Sequence, residues 1–241
     1  MKAILKSGLS FVSFIFIALS AAGCVEMTTL DSRILSLYRN RNFPDYNIKK
    51  IALIPMANDD TTDTGTFYST SHFLDLLNES FAGVQAEVPQ VDSLIRADTS
   101  LIPHLFESIR KNRKLDLLNP GSERLIDSLS NAEYDAMIIG SINSYKDAKE
   151  FVIQAGNRLL FKATAALTTS CDFTYFMISL KDGSILWGAR ILGIDANYDN
   201  DEYMRDYPPL DSSISNGIDV MINTLPFERV IQPPDTLKQE F

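Results

Sequence analysis

The chain has 241 residues, with 31 Asp and Glu against 22 Lys and Arg, a formal charge of −9, 45% apolar residues, two cysteines and two histidines. That apolar content excludes a disordered chain, and two cysteines exclude a disulfide-framed mini-protein. The acidic balance repels phosphate and argues against a nucleic-acid partner. Imidazole chemistry is limited to His72 and His104.

Residues 1–23 read as a lipoprotein signal peptide. Lys2 and Lys6 form a positive n-region, and Gly8 to Leu19 an apolar h-region too short to span a bilayer of about 30 Å. Ser20, Ala21, Ala22 and Gly23 then lead into Cys24. Small residues before a cysteine resemble a bacterial lipobox, where a dedicated peptidase cuts ahead of a lipidated Cys. Ala21 stands where Leu is usual, and the competing reading is an ordinary signal cleaved near Ala22. Acyl chains on Cys24 give firm anchoring, since each buried methylene contributes about 0.8 kcal/mol. Lipidation of Cys24 leaves Cys171 without a disulfide partner, and a lone thiol in a predicted strand reads as a small buried apolar residue. Val25 follows the cysteine; by analogy with the sorting rule of enteric bacteria, the absence of Asp there favours the outer membrane, with the protein facing the periplasm.

Residues 24–47 read as a tether with a short helix carrying Leu30, Ile34, Leu35 and Tyr38 and ending near Asn42–Pro44. Ile51–Met56, within KKIALIPM, is a continuous apolar run, the pattern of a strand buried on both faces. After the acidic loop 58–65, Phe73, Leu76, Leu77, Phe81 and Val84 form one helical stripe, with Thr70 or Ser71 suited to cap it. A weaker strand over Val84–Val91 precedes a helix around Leu101–Asn112, with Pro103 in its first turn. A third helix covers Ser122–Leu129 after Pro120-Gly121. Tyr134–Ser144 is a second buried strand, containing Gly140. Residues 158–180 and 184–194 alternate as a long hairpin around Lys181-Asp182-Gly183-Ser184, Asp-Gly being a strong tight-turn signal. Residues 195–209 are acidic and irregular. Ile214, Ile218, Met221, Ile222 and Leu225 make a last amphipathic helix with Asp211 or Ser212 as cap, and residues 226–241 an extended tail. The sum is one α/β (α+β) domain over residues 48–225, a single mixed sheet with a long hairpin in its C-terminal half and helices packed on it.

The lipobox, the short linker and the KKIALIPM strand together resemble the opening of the CsgG/LpoB/TolB-N-terminal-like envelope family. Two later stretches fit the same pattern: Tyr134-Asp135-Ala136-Met137-Ile138-Ile139-Gly140-Ser141-Ile142, and the hairpin Ile178 to Trp187 around Asp182-Gly183. The residues fit fold roles on their own: Gly183 supplies positive φ, Gly140 permits close backbone approach, and Trp187 is an apolar anchor between sheet and helix. The resemblance implies a helix-packed sheet that binds other proteins at the envelope, as activators of peptidoglycan synthases and secretion accessories do. The chain departs from the family's pore subunit, because residues 143–170 carry Lys146, Asp147, Lys149, Glu150, Arg158 and Lys162 without the alternation of a membrane hairpin.

Chemistry is sparse in the sequence. His72 and His104 have no Cys or His partner at metal spacing, and no HExxH, GxSxG or phosphate-binding Gly-rich loop occurs. Asp59-Asp60 fit a solvated loop better than an acid pair. Asp195, Asn197, Asp199, Asp201 and Asp206 approximate a calcium loop, but the twelfth position is Asp rather than Glu and the segment follows a strand. The expectation is a non-catalytic, lipid-anchored envelope protein that needs no cofactor and binds a protein partner in the periplasm. A calcium-responsive surface lipoprotein and a periplasmic hydrolase of unrecognised type are the alternatives.

Overall fold

A computed structural model describes residues 31–56, 65–91, 101–115, 120–155, 161–198 and 206–230. The chain falls into two compact units, one of residues 30–150 with 165–241, the other of residues 1–29 with 151–164. The fold described below is that of the first unit, apart from the strand ends at 151–155 and 161–164.

Six strands, β1 (Arg33–Arg39), β2 (Lys50–Leu53), β3 (Gln85–Glu87), β4 (Ala136–Ala155), β5 (Phe161–Ser179) and β6 (Ile185–Tyr198), form one open sheet in the order β1-β6-β5-β4-β2-β3. β2 runs parallel to both β3 and β4, whereas β1–β6 and β5–β6 are antiparallel. Parallel neighbours need crossovers long enough to hold a helix, and antiparallel ones need only a turn. The helices α1 (Gly65–Ser80), α2 (Leu101–Asn112) and α3 (Pro120–Asn131) accordingly fall in the parallel half of the chain, and α4 (Leu210–Met221) closes it. The expected mixed sheet with a long hairpin and packed helices is the architecture found.

The sheet carries helices on both faces. On one, Phe73 and Leu77 of α1 and Ile214, Ile218 and Met221 of α4 pack on Ile51, Phe173, Tyr175 and Trp187. On the other, Leu105 and Ile109 of α2 and Leu125 and Leu129 of α3 pack on Ile54, Met137, Ile139 and Ile178. This two-sided cover explains why Ile51, Ala52, Leu53 and Ile54 are all buried in succession. The Asp135 carboxylate fixes the start of β2 by accepting the Lys49 and Lys50 amides at 2.8 and 2.9 Å, so the Tyr-Asp pair before β4 is a strand clamp.

Four expectations change. The short helix expected within residues 24–47 is strand β1, because pairing with the outer edge of β6 satisfies its backbone while Leu35, Leu37 and Tyr38 stay exposed and offer no helical face to bury. β4 continues past Ser144 to Ala155, and the polar stretch pairs through its backbone: Thr168 and Ser170 hydroxyls also donate to the Ala148 and Lys146 carbonyls at 3.1 and 3.2 Å. Residues within 143–170 thus do form hairpin strands although their charges broke the expected alternation. α1 begins at Gly65, so Thr70 and Ser71 lie inside it rather than capping it. Asp211 does not cap α4, whose cap position is Pro209; its carboxylate accepts the Ser69 amide of α1 at 2.9 Å.

The start of the C-terminal tail is tied down. Phe227 packs edge-on against Phe43 at 5.2 Å and against Phe81 at 5.5 Å, and the Val230 amide donates to the Ser80 carbonyl at 2.9 Å.

Candidate functional site

α2 and α3 cover β2, β4 and the adjoining end of β5, and among the described residues no helix covers the same face of β5–β6–β1. The uncovered half is a groove of about 530 Å³. Its floor is Thr174, Phe176 and Arg190, and its walls are Tyr38 from β1, Asn143 from β4 and Arg110 from α2. These residues reach one face because the ladder sets Thr174 against Arg190 and Phe176 against Gly188, and Tyr38 against Gly188 in turn. Gly188 lets the Phe176 ring lie across β6, since a Cβ there would stand 2.6 Å from that ring.

A polar network crosses the groove. The Arg190 guanidinium grips Asp172 in a two-point geometry, Nε at 3.0 Å from Oδ1 and Nη2 at 2.5 Å from Oδ2. Asn143 Nδ2 donates to Asp172 Oδ1 at 2.8 Å and to Thr174 Oγ1 at 2.9 Å, and Arg110 Nη2 donates to Asn143 Oδ1 at 2.6 Å. Burial pushes the Asp172 carboxyl up, but hydrogen bonds from Arg190 and Asn143 and the charges of Arg190 and Arg110 outweigh it and hold the carboxyl below its ordinary value. Two guanidinium groups and one carboxylate leave the network with net positive charge in an acidic chain. Sequence reading missed this set. Its signal was Asp172 as a lone charge inside an apolar strand, since a charge held largely out of water requires a partner.

The residues singled out from the sequence lie elsewhere and hold the fold. Trp187 is fully buried beneath α4, and its Nε1 donates to Thr224 Oγ1 at 3.2 Å. Gly140 sits where a Cβ would stand 2.4 Å from the Tyr175 ring. Gly183 has φ of 72° in the β5–β6 turn. Asp182 locks that turn, accepting the Ser184 amide at 3.1 Å and hydroxyl at 2.9 Å and the Tyr46 hydroxyl at 3.1 Å. His72 Nε2 lies 2.7 Å from Asp219 Oδ1, joining α1 to α4, and His104 is exposed on α2. Cys171 is free and fully buried, its thiol pushed up to about 12 by burial and then by the charge of Asp172.

Of the calcium-loop candidates, Asp195 and Asn197 lie in β6 opposite Thr169 and Leu167. The Asp195 carboxylate accepts the Ser212 hydroxyl, and Asn197 Nδ2 donates to the Asp206 carbonyl at 3.2 Å. Asp199, Asp201, Cys24 and the Asp59-Asp60 pair lie outside the described residues. Among the described residues no helix is long and apolar enough to cross a membrane.

No family model matches the chain, and no curated protein does. The CsgG/LpoB likeness therefore rests on the sequence motifs. Among solved structures the chain is similar to a PelC dodecamer from Paraburkholderia phytofirmans, with 10% identity over 80% of this chain and 95% of that one and a TM-score of 0.39. It is also similar to the lipoprotein GNA1162 from Neisseria meningitidis, with 14% identity over 72% and 95% of the two chains and a TM-score of 0.36. The hypothetical protein CT253 from Chlamydia trachomatis matches at 7% identity over 73% and 89%, with a TM-score of 0.35. Likeness at these scores transfers no function.

Proposed function

We propose that the protein is a lipid-anchored envelope protein, without catalysis of its own, that holds a protein partner on the open half of its sheet. The observation that carries this is the unroofed β5–β6–β1 face, where an apolar ring, Phe176, and a preorganised Arg-Asp-Asn network stand beside exposed Leu37 and Tyr38. Aromatic and arginine side chains in a concave surface are what protein interfaces use as anchors. The lipobox sequence ending at Cys24 supports placement on a membrane, and the outer membrane facing the periplasm is the placement we favour. Peptidoglycan-synthase activation and secretion assistance are tasks of this kind.

The test is a photocrosslinking amino acid placed in turn at Tyr38, on the groove, and at Glu79, exposed on α1. Crosslinking in intact cells should yield a discrete adduct from position 38 and none of the same mass from position 79. Identical adduct patterns from both positions, or none from either, would refute the reading.

A further inference from the structure

β1 ends the sheet and pairs only with β6, so among the described residues its outer edge is open. The Asn40 amide donates to the Leu186 carbonyl at 2.9 Å. Antiparallel alternation then turns the backbone groups of Tyr38 and Ser36 toward β6 and those of Leu37 and Arg39 outward. Leu35, Leu37 and Tyr38 are 43%, 45% and 50% exposed along this strand. Such an edge is a template for another strand.

The charge of the edge decides which strand. Arg33, Arg39 and Arg41 are all exposed on or just beyond β1, and none forms an ion pair among the described residues. They make a basic strip on a chain of net charge −9. A second copy laid antiparallel about Ser36 would set Arg33 against Arg39, and about Leu37 would set Arg33 against Arg41. Like charges directly opposite destabilise a ladder, and opposite charges stabilise it.

We propose that β1 receives an extended acidic segment of the partner as an additional strand, with one carboxylate facing Arg39 and an apolar residue covering Leu37 on the same face, and a second carboxylate facing Arg33 on the other face, where the bulge between Ile34 and Ser36 places it. This names the partner chemistry for the adaptor reading above and rests on it. Main-chain bonds would supply affinity and the arginines selectivity, as in strand addition generally.

The probe is a capped decapeptide in which Glu-Glu pairs alternate with Val-Val pairs, so that each face carries both residues, compared with its Lys counterpart, titrated into the full chain in detergent micelles. The Glu peptide should bind saturably, weaken with salt, and protect the Leu37 and Arg39 amides from exchange. Combined Arg33→Glu and Arg39→Glu should weaken it tenfold or more and favour the Lys peptide. Leu37→Pro removes an outward amide and spares the β6 ladder, so it should also abolish binding. Equal binding of both peptides, binding of neither, indifference to these variants, or self-association through β1 would each overturn the proposal. A Tyr38 crosslink that persists in the double Arg variant would overturn it while leaving the adaptor reading standing.

Discussion

At the scale of single residues, burial sets the chemistry. Trp187 is the chain's one tryptophan and is fully enclosed, with its indole N–H satisfied by Thr224. Trp187→Ala should cost about 3–5 kcal/mol, the range for emptying a large aromatic site. Denaturant titration measures it, and native emission should be blue-shifted and resistant to acrylamide. Asp172 gives a pH prediction. Its carboxyl titrates lower in the folded protein than the ordinary value near 3.9, so folding gains from its ionised form. That gain is fully present above about pH 4 and is lost as pH falls through the lower, folded value. Asp172→Asn should therefore cost about 1 kcal/mol at pH 7, modest because Arg190 is half exposed, and the difference should shrink below pH 3. Urea melts at the two pH values check it; an equal loss at both would contradict the assignment.

At the scale of elements, β6 is where helix, edge strand and groove meet. α4 lies so close to it that a Cβ on Gly193 would stand 1.9 Å from the Ser213 carbonyl oxygen. That neighbour is backbone, so relief requires moving the helix. Gly188 opposes a side-chain ring, Phe176, whose shift requires no movement of a helix backbone. Gly193→Ala should thus destabilise by about 3 kcal/mol or more, and Gly188→Ala by clearly less, although both add one methyl to one strand. Thermal melts of the pair measure the order; equal losses would mean that α4 yields as easily as a ring. β1 shows where periodicity fails. Leu30, Ile34, Leu35 and Tyr38 satisfy a helical spacing, but the backbone ladder with β6 prevails and leaves Leu35 and Tyr38 exposed. β4 fails the opposite way: its apolar signal stops near Ser144, while backbone pairing carries it on to Ala155.

At the scale of the whole molecule, the membrane attachment we propose rests on one atom, the Cys24 sulfur. Cys24→Ala should leave the protein unlipidated and shift it from the membrane pellet to the soluble fraction, or leave an uncleaved precursor. A mature-sized variant that still pellets after a carbonate wash would remove the lipid anchor from the reading.

The sequence by itself determined most elements of the mixed sheet, β1 and the far end of β4 excepted. Apolar runs of strand length, helical stripes over residues 101–112 and 122–129, and Asp182-Gly183 between two alternating segments are local signals, set by side-chain burial and turn geometry within a few residues. It also placed Gly183 at the turn and Trp187 in the core, whereas Gly140, expected to admit a neighbouring backbone, makes room for the Tyr175 ring instead. The groove was decided only in three dimensions. Arg110, Asn143, Asp172 and Arg190 come from four separate elements, and no spacing along the chain brings them together. What unites them is strand register and the failure of two helices to cover six strands, and both follow from packing between segments distant in sequence.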